Sequence, residues 1–150
     1  MARDPRYDIL FEAVQIGPVT ARNRFYQVPH CNGMGHAMPN SVAAMRGMKA
    51  EGGWAVVATE ECDIHASSDV LPHPEARLWD KEDQRRLALM VDAVHAHGSL
   101  AAVELVHNGH SASNRYSRLP VMAASDLPVA SFYPTQAYAM SKRDIASVRR

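Results

Sequence analysis

Two short apolar runs with a helical pattern between them constrain the fold of this chain more than any other feature. The runs cover residues 54–59 and 100–106, and each is nearly unbroken, which is typical of parallel strands covered on both faces. Between them, Asp80 can cap a helix whose apolar residues recur at helical spacing before Gly98. Parallel strands joined through a helix form a right-handed crossover. The sequence therefore predicts a βαβ unit of an α/β fold.

The N-terminal segments continue the alternation of strands and helices. Residues 14–20 contain a Gly-Pro turn signal and favour a short hairpin. Residues 23–28 favour a first core strand, because aromatic and branched side chains suit the pleat and Pro29 ends the ladder. Ser41 can then cap a helix that extends to about Ala50.

The C-terminal segments leave two fold classes open. Residues 107–140 are rich in Ser, Pro, Asn and Ala and predict a long surface loop, and residues 141–150 begin another helix. The order of elements fits an open doubly wound sheet or an eight-stranded barrel. A dinucleotide-binding sheet requires a glycine fingerprint after the first strand, and residues 31–36 do not complete it. The barrel is therefore favoured.

We predict an α/β fold that is the N-terminal portion of a TIM (β/α)8 barrel. A whole barrel needs about 250 residues, whereas this chain of 150 residues supplies an N-terminal hairpin and about three βα units. The predicted domain, residues 1–150, is incomplete. Such a piece leaves a strand edge and apolar helix faces uncovered, so we expect it to associate or to dissolve poorly by itself.

Composition excludes several partners. Lys plus Arg and Asp plus Glu number 16 each, so the chain lacks the basic field that nucleic-acid binding requires. It also lacks an apolar signal core at its start and any run of about 20 apolar residues, which predicts a cytoplasmic protein without a membrane span. Its two cysteines are too few for a disulfide scaffold.

Chemistry in a barrel gathers where strands end, which singles out residues 29–31, 60–62 and 104–110. Cys31 follows His30, and a neighbouring imidazole can lower the pKa of a thiol and activate it as a nucleophile. The alternative is an inert, buried cysteine, which is also the interpretation for Cys62. The histidines show no tight zinc-ligand pairs, so we predict no metal site.

Glu104 is an exception within an apolar strand. A carboxylate buried between Val103 and Leu105 is costly unless another group compensates its charge. A bound cofactor with N–H donors would do so, and a core salt bridge to a residue such as Arg24 would serve equally well. The residues alone do not decide between these alternatives.

A longer match to one known family runs in order through several segments of the chain. It comprises residues 2–5, 8–12 and 16–31, followed by residues 49–54, 59–60, 78–80 and 103–105. In these segments the chain resembles the trimethylamine, dimethylamine and histamine dehydrogenases, which are relatives of old yellow enzyme. The resemblance implies a barrel that holds FMN across the C-terminal ends of its strands. It also implies covalent attachment of the flavin to Cys31.

The resemblance assigns further roles at the flavin. Val28, Pro29 and His30 would line the flavin edge, and Glu104 would hydrogen-bond the flavin ring. Cys31 and Glu104 must therefore lie at the same end of the strands. Glu61 stands where trimethylamine dehydrogenase has a tyrosine that faces the substrate, so it is the predicted catalytic residue and a departure from the family pattern.

The function that the resemblance implies is oxidation of a small amine by hydride transfer to FMN. One alternative is an ene-reductase-like NAD(P)H:flavin oxidoreductase with non-covalent FMN, and another is a truncated barrel without catalysis. An iron–sulfur cluster is expected only in a missing C-terminal part. The expected partners of the full-length protein are further copies of itself, as a homo-oligomer, and an electron-transfer protein.

Overall fold

The structure is a computed structural model that describes residues 4–70, 75–128 and 136–149. These residues form eight strands and three α-helices, with short 3-10 helices in the connections. The strands are β1 (Val14–Ile16), β2 (Val19–Ala21), β3 (Tyr26–Gln27), β4 (Val56–Asp63), β5 (Ala76–Arg77), β6 (Leu100–Val106), β7 (Met122–Ala123) and β8 (Tyr138–Ala139); the helices are α1 (Pro39–Glu51), α2 (Lys81–His95) and α3 (Lys142–Val148).

The parallel sheet is organised around β4. Strand β6 pairs with β4 along its length, and the opposite edge of β4 is shared by β3 at its start and β5 at its end. Helices α1 and α2 lie in the two crossovers and pack on one face, where Val57 contacts a cluster that includes Met90 and Val94. This arrangement confirms the predicted βαβ units.

An N-terminal hairpin covers the start of the sheet on its other face. Strands β1 and β2 pair antiparallel, and the tight turn between them places Gly17 at φ +54°, which glycine adopts readily. Ala21 packs with Val56 and the partly buried Leu100. The predicted hairpin is therefore present.

Arg22 ties the ends of both helices to the sheet. Its guanidinium donates to the carbonyl oxygen of Ala50 at 2.9 Å, to that of His97 at 2.8 Å and to Ser99 Oγ at 3.1 Å. The last carbonyl groups of a helix lack partners within the helix, so a guanidinium at this position satisfies them.

Asp83 links the start of α2 to β5. Asp80 caps the helix by accepting from the backbone N–H groups of Glu82 and Asp83 at 2.8 and 2.9 Å. The buried carboxylate of Asp83 accepts from Arg77 Nε at 2.8 Å and from the backbone N–H of Trp79 at 3.1 Å. Strand β5 and Trp79 are therefore fixed to the start of α2.

Two strand predictions differ from the structure. The first core strand was predicted over residues 23–28, but only Tyr26–Gln27 pairs with β4. Asn23 bends the preceding backbone, since its Oδ1 accepts from the Phe25 N–H and its Nδ2 donates to the Gly53 carbonyl oxygen. The second strand was predicted to end at Thr59, but β4 extends to Asp63 because β5 and β6 both pair with its end.

Helix and loop predictions also need correction. Helix α1 begins at Pro39, two residues before Ser41, because proline is well suited to the first helical turn. The segment 107–140 was predicted to be a loop without regular structure, yet its described part contains the parallel pair β7 and β8. Residues 129–135 of that loop lie outside the described residues.

Candidate functional site

A bulge in β4 sets the directions of the acidic side chains at its end. Strands β4 and β6 pair from Val56 to Ala58 and again from Glu61 to Asp63, with a register shift between these stretches. Within the shift, the Thr59 hydroxyl accepts from the Glu104 N–H at 3.2 Å. Glu61 is thereby brought into register with Glu104, so the two side chains share one face of the sheet.

Glu104 is exposed in this structure, so the prediction of a buried carboxylate is wrong. The reason is that β6 has only β4 beside it among the described strands, and no described element covers this face at Glu104. The alternative of a core salt bridge to Arg24 is also wrong for the described residues. Arg24 Nε instead donates to the Ile9 carbonyl oxygen at 2.9 Å.

Arg46, on α1, fixes the loop that follows β3. Its side chain is fully buried and donates to Gln27 Oε1 at 2.8 Å, to His30 Nδ1 at 3.1 Å and to the His30 carbonyl oxygen at 3.0 Å. A guanidinium only donates hydrogen bonds, so His30 Nδ1 is an acceptor and the proton of the neutral ring lies on Nε2. Burial, with the charge of Arg46 second, lowers the pKa of His30.

Glu60 provides the negative charge near Arg46. It is buried to 1% exposure, and its Oε2 accepts from the Asn32 N–H at 2.9 Å. Burial raises the pKa of Glu60, while the Asn32 N–H and the Arg46 charge lower it. The loop from Gln27 to Asn32 is thus held by α1 on one side and by β4 on the other.

The loop presents the residues that were predicted to line the flavin edge. Val28 is 62% exposed, and Pro29 is half-buried. The backbone carbonyl of Val28 accepts a hydrogen bond from the side-chain amide of Gln27. Arg46 and Glu60 therefore hold the backbone of this loop, while Val28 remains exposed to solvent.

Cys31 lies at the exposed surface of this loop, and its thiol donates to Glu75 Oε1 at 3.5 Å. The atoms around the sulfur exclude enough water to raise the pKa of the Cys31 thiol to about 12, and the charge of Glu75 adds to this rise. The expectation of a thiolate activated by His30 is therefore wrong, since that imidazole is engaged by Arg46. Cys62 is buried, as predicted.

Glu75 completes a compact group with Cys31 and Glu61. One ligand atom from each side chain lies within 4.8 Å of the others. Burial, followed by the charge of Glu61, raises the pKa of Glu75 to about 7. Such a group could reach a common metal ion, although a thiol that holds its proton this firmly is a poor ligand.

Sequence reasoning missed Glu75 and Arg46. Arg46 had a signal, because it follows Val42 by one helical turn on the buried side of α1. Glu75 had none, since its neighbours along the chain form no periodic pattern and β5 is only two residues long.

A second polar cluster occupies the ends of β4 and β6. Asp63 Oδ1 accepts from Ser68 Oγ at 2.8 Å and from Asn108 Nδ2 at 3.0 Å. Burial raises the pKa of Asp63 to about 7, which these hydrogen bonds partly oppose. Ser67 Oγ lies 3.0 Å from His107 Nε2, so this histidine also belongs to the network that joins the two strand ends.

The chain is similar in sequence to known proteins. The sequence pattern of the NADH:flavin oxidoreductase / NADH oxidase family matches residues 9–150. Dimethylamine dehydrogenase of Hyphomicrobium sp. (strain x) is 55% identical over 118 residues, which are 79% of this chain and 16% of that protein.

The chain also superposes on solved structures. Histamine dehydrogenase from Rhizobium sp. 4-9 superposes with a TM-score of 0.91 at 48% identity, over 99% of this chain and 23% of that chain. The 6-hydroxypseudooxynicotine amine oxidase of Pseudomonas geniculata N1 superposes with a TM-score of 0.92 at 46% identity, over 99% and 22%. The chain thus spans less than a quarter of the length of these relatives, and it has the predicted fold of an N-terminal barrel portion.

Proposed function

The chain belongs to the NADH:flavin oxidoreductase / NADH oxidase family, and on this premise we propose that residues 1–150 form the first part of an FMN enzyme that oxidises small amines. The observation that supports this most strongly is that three of the predicted residues lie together toward the C-terminal ends of the parallel strands. Cys31 and Glu61 lie in one group, and Glu61 is in register with Glu104.

The residues present fit the ring system of FMN. Glu104 is exposed and in register with Glu61, so its carboxylate is accessible to ring N–H donors. Val28, Pro29 and His30 would contact the flavin edge, and Cys31 would hold the ring covalently. When bound, FMN supplies the two-electron oxidation, and the protein orients and tunes it.

Glu61 would recognise the amine. Small alkylamines are cations at neutral pH, and a carboxylate forms a charge-assisted hydrogen bond with an ammonium group. Glu61 lies beside Glu75, so the pair concentrates negative charge near the thiol. The role proposed for Glu61 is to orient the amine and to hold its proton before oxidation.

One observation favours a second candidate, an ene-reductase-like NAD(P)H:flavin oxidoreductase with non-covalent FMN. The Cys31 thiol is protonated over the whole neutral range, because its pKa lies at about 12. A protonated thiol is a weak nucleophile. In that case Cys31 would contact the flavin without a covalent bond and would adjust its reduction potential.

Anaerobic reduction of the flavin in the complete enzyme that includes this chain separates the two candidates. We expect dimethylamine or histamine to bleach the flavin absorbance and NADH to leave it unchanged. Glu61→Gln should raise the amine KM by about tenfold, whereas Glu51→Gln, at the exposed end of α1, should not change it. Bleaching by NADH alone would contradict the amine proposal and support the second candidate.

The proposal extends to the cellular setting. Cys31 and Cys62 are both free thiols, which suits a reducing compartment such as the cytoplasm. None of the helices among the described residues combines the length and apolar character needed to cross a bilayer. An iron–sulfur cluster, an electron-transfer partner and homo-oligomeric assembly would depend on parts of the protein outside this chain.

A further inference from the structure

We propose that Glu75 is the proton acceptor for the Cys31 thiol, so that the sulfur attacks an electrophile as its proton passes to the Glu75 carboxylate. The inference rests on the proposed function, in which Cys31 becomes bonded to the flavin. It assigns a catalytic role in that attachment to a residue outside the predicted site. The proton donor and acceptor already form a hydrogen bond, from Cys31 Sγ to Glu75 Oε1 at 3.5 Å.

Both partners are held by separate parts of the fold. The Cys31 loop is fixed by Arg46, which donates to the His30 carbonyl oxygen. The backbone carbonyl of Glu75 accepts from the His36 N–H at 3.1 Å and from His36 Nδ1 at 3.0 Å. The residues after Glu75 form β5, which Asp83 fixes to α2. The approach of thiol and carboxylate is therefore built into the backbone.

The charges around the pair favour transfer within it over direct ionisation. The pKa of Glu75 is raised to about 7, so the carboxylate is largely ionised above that pH. The pKa of Cys31 is raised to about 12, so a free thiolate is rare at the same pH. Moving the proton from sulfur to Glu75 leaves the net charge of the pair unchanged. The transfer thus avoids adding a charge to a site that is already negative.

Other charged or titratable groups face this pair from each neighbouring element. Burial is the main cause of the raised pKa of Glu75, and among its charged neighbours Glu61 and then Glu60 add to the rise. The groups that face the pair are Glu60, Glu61 and Asp63 on β4, His36 in the segment that precedes α1, and Arg46 on α1.

The step can be written without any cofactor by using iodoacetamide as the electrophile. The sulfur of Cys31 forms a bond to the iodoacetamide carbon, and iodide leaves with the bonding electron pair. The S–H bond breaks, and its proton bonds to Glu75 Oε1. No oxidant or reductant is required, so the reaction reports on proton acceptance alone.

The test uses the complete enzyme produced without flavin, so that Cys31 carries a free thiol, treated with iodoacetamide in EDTA between about pH 5 and about pH 9. Peptide mass mapping gives the alkylation rate of Cys31. In the wild type we expect a rise with an inflection at pH about 7, where Glu75 ionises. In Glu75→Gln the inflection should disappear, and the rate above it should fall by about tenfold or more. An unchanged profile in Glu75→Gln, or a wild type without the inflection, would overturn the proposal.

Glu61→Gln is the matched control. It removes a charge from the same group but leaves the hydrogen bond between Cys31 and Glu75 intact. The charge of Glu61 raises the pKa of Glu75, so this variant should keep the inflection and move it to lower pH. If Glu61→Gln abolishes the inflection instead, then Glu61 is the acceptor and the proposal fails.

Cys62 reports whether each variant is folded. It is buried, so it should resist alkylation in every folded variant. If Glu75→Gln exposes Cys62, the wild-type profile and the Glu75→Asp variant still test whether Glu75 accepts the proton. Aspartate retains the carboxylate, so Glu75→Asp should retain the inflection. Failure of the proposed function has a different signature, namely flavin that separates from the unfolded enzyme while the inflection persists.

Discussion

The guanidinium of Arg46 donates a hydrogen bond to the backbone carbonyl oxygen of His30 at 3.0 Å. This contact joins the buried side of α1 to the loop that presents Cys31. The same side chain reaches Gln27 at the end of β3. The loop therefore has a fixed geometry before any cofactor binds, which is the condition for a preorganised site.

Arg46→Met should destabilise the protein by about 3 kcal/mol or more, because the buried Glu60 carboxylate loses its compensating charge. Urea denaturation measures the change in the free energy of unfolding. Adding Glu60→Gln removes the uncompensated charge, so the double variant should recover about 1 kcal/mol or more. Strict additivity of the two single changes would show that the residues do not interact.

Asp83→Ala should cost about 2–3 kcal/mol, since it leaves the Arg77 guanidinium and the Trp79 N–H without their buried acceptor. Glu82→Ala is the control. Glu82 pairs with Arg85 and Arg86 in the same helix, but about half of its side chain is exposed, so its loss should cost less than about 1 kcal/mol. Equal losses for the two variants in urea denaturation would contradict the anchoring role of Asp83.

The raised pKa of Asp63 predicts that stability depends on pH. Its folded pKa of about 7 exceeds the ordinary value of 3.8, so the folded state binds the proton more tightly than the unfolded state. Stability should therefore fall as the pH rises between these values, by about 1.4 kcal/mol for each pH unit at most. Glu75 has a similarly raised pKa and contributes a slope of the same sign. Asp63→Asn should therefore reduce the slope, by up to about 1.4 kcal/mol for each pH unit, when the free energy of unfolding is measured from pH 4 to pH 8. A slope unchanged by the substitution would contradict the assignment.

The sequence predicted the crossover fold because apolar periodicity is a local property. The runs that became β4 and β6 and the pattern that became α2 are each continuous in the chain. The bulge between Ala58 and Glu61 is not local, since it depends on how two distant strands pair. The directions of the side chains beyond it could therefore not be predicted.

The site was predictable only in part, for a related reason. Cys31 and Glu61 follow apolar runs, and strand ends are where barrel chemistry collects. Glu75 lies 44 residues from Cys31 in the sequence and directly precedes a two-residue strand that has no pattern of its own. The burial of Glu104 was predicted from its apolar neighbours, but the exposure of an edge strand depends on which elements cover it.

Peptide mass mapping of the unfolded complete enzyme tests the central proposal, a flavin bonded to Cys31, most directly. After denaturation and proteolysis, we expect the mass and fluorescence of FMN on the peptide that contains Cys31. The Cys31→Ser variant should carry none on that peptide. Flavin released entirely into solution, together with an unmodified Cys31 peptide from the wild type, would contradict the proposal.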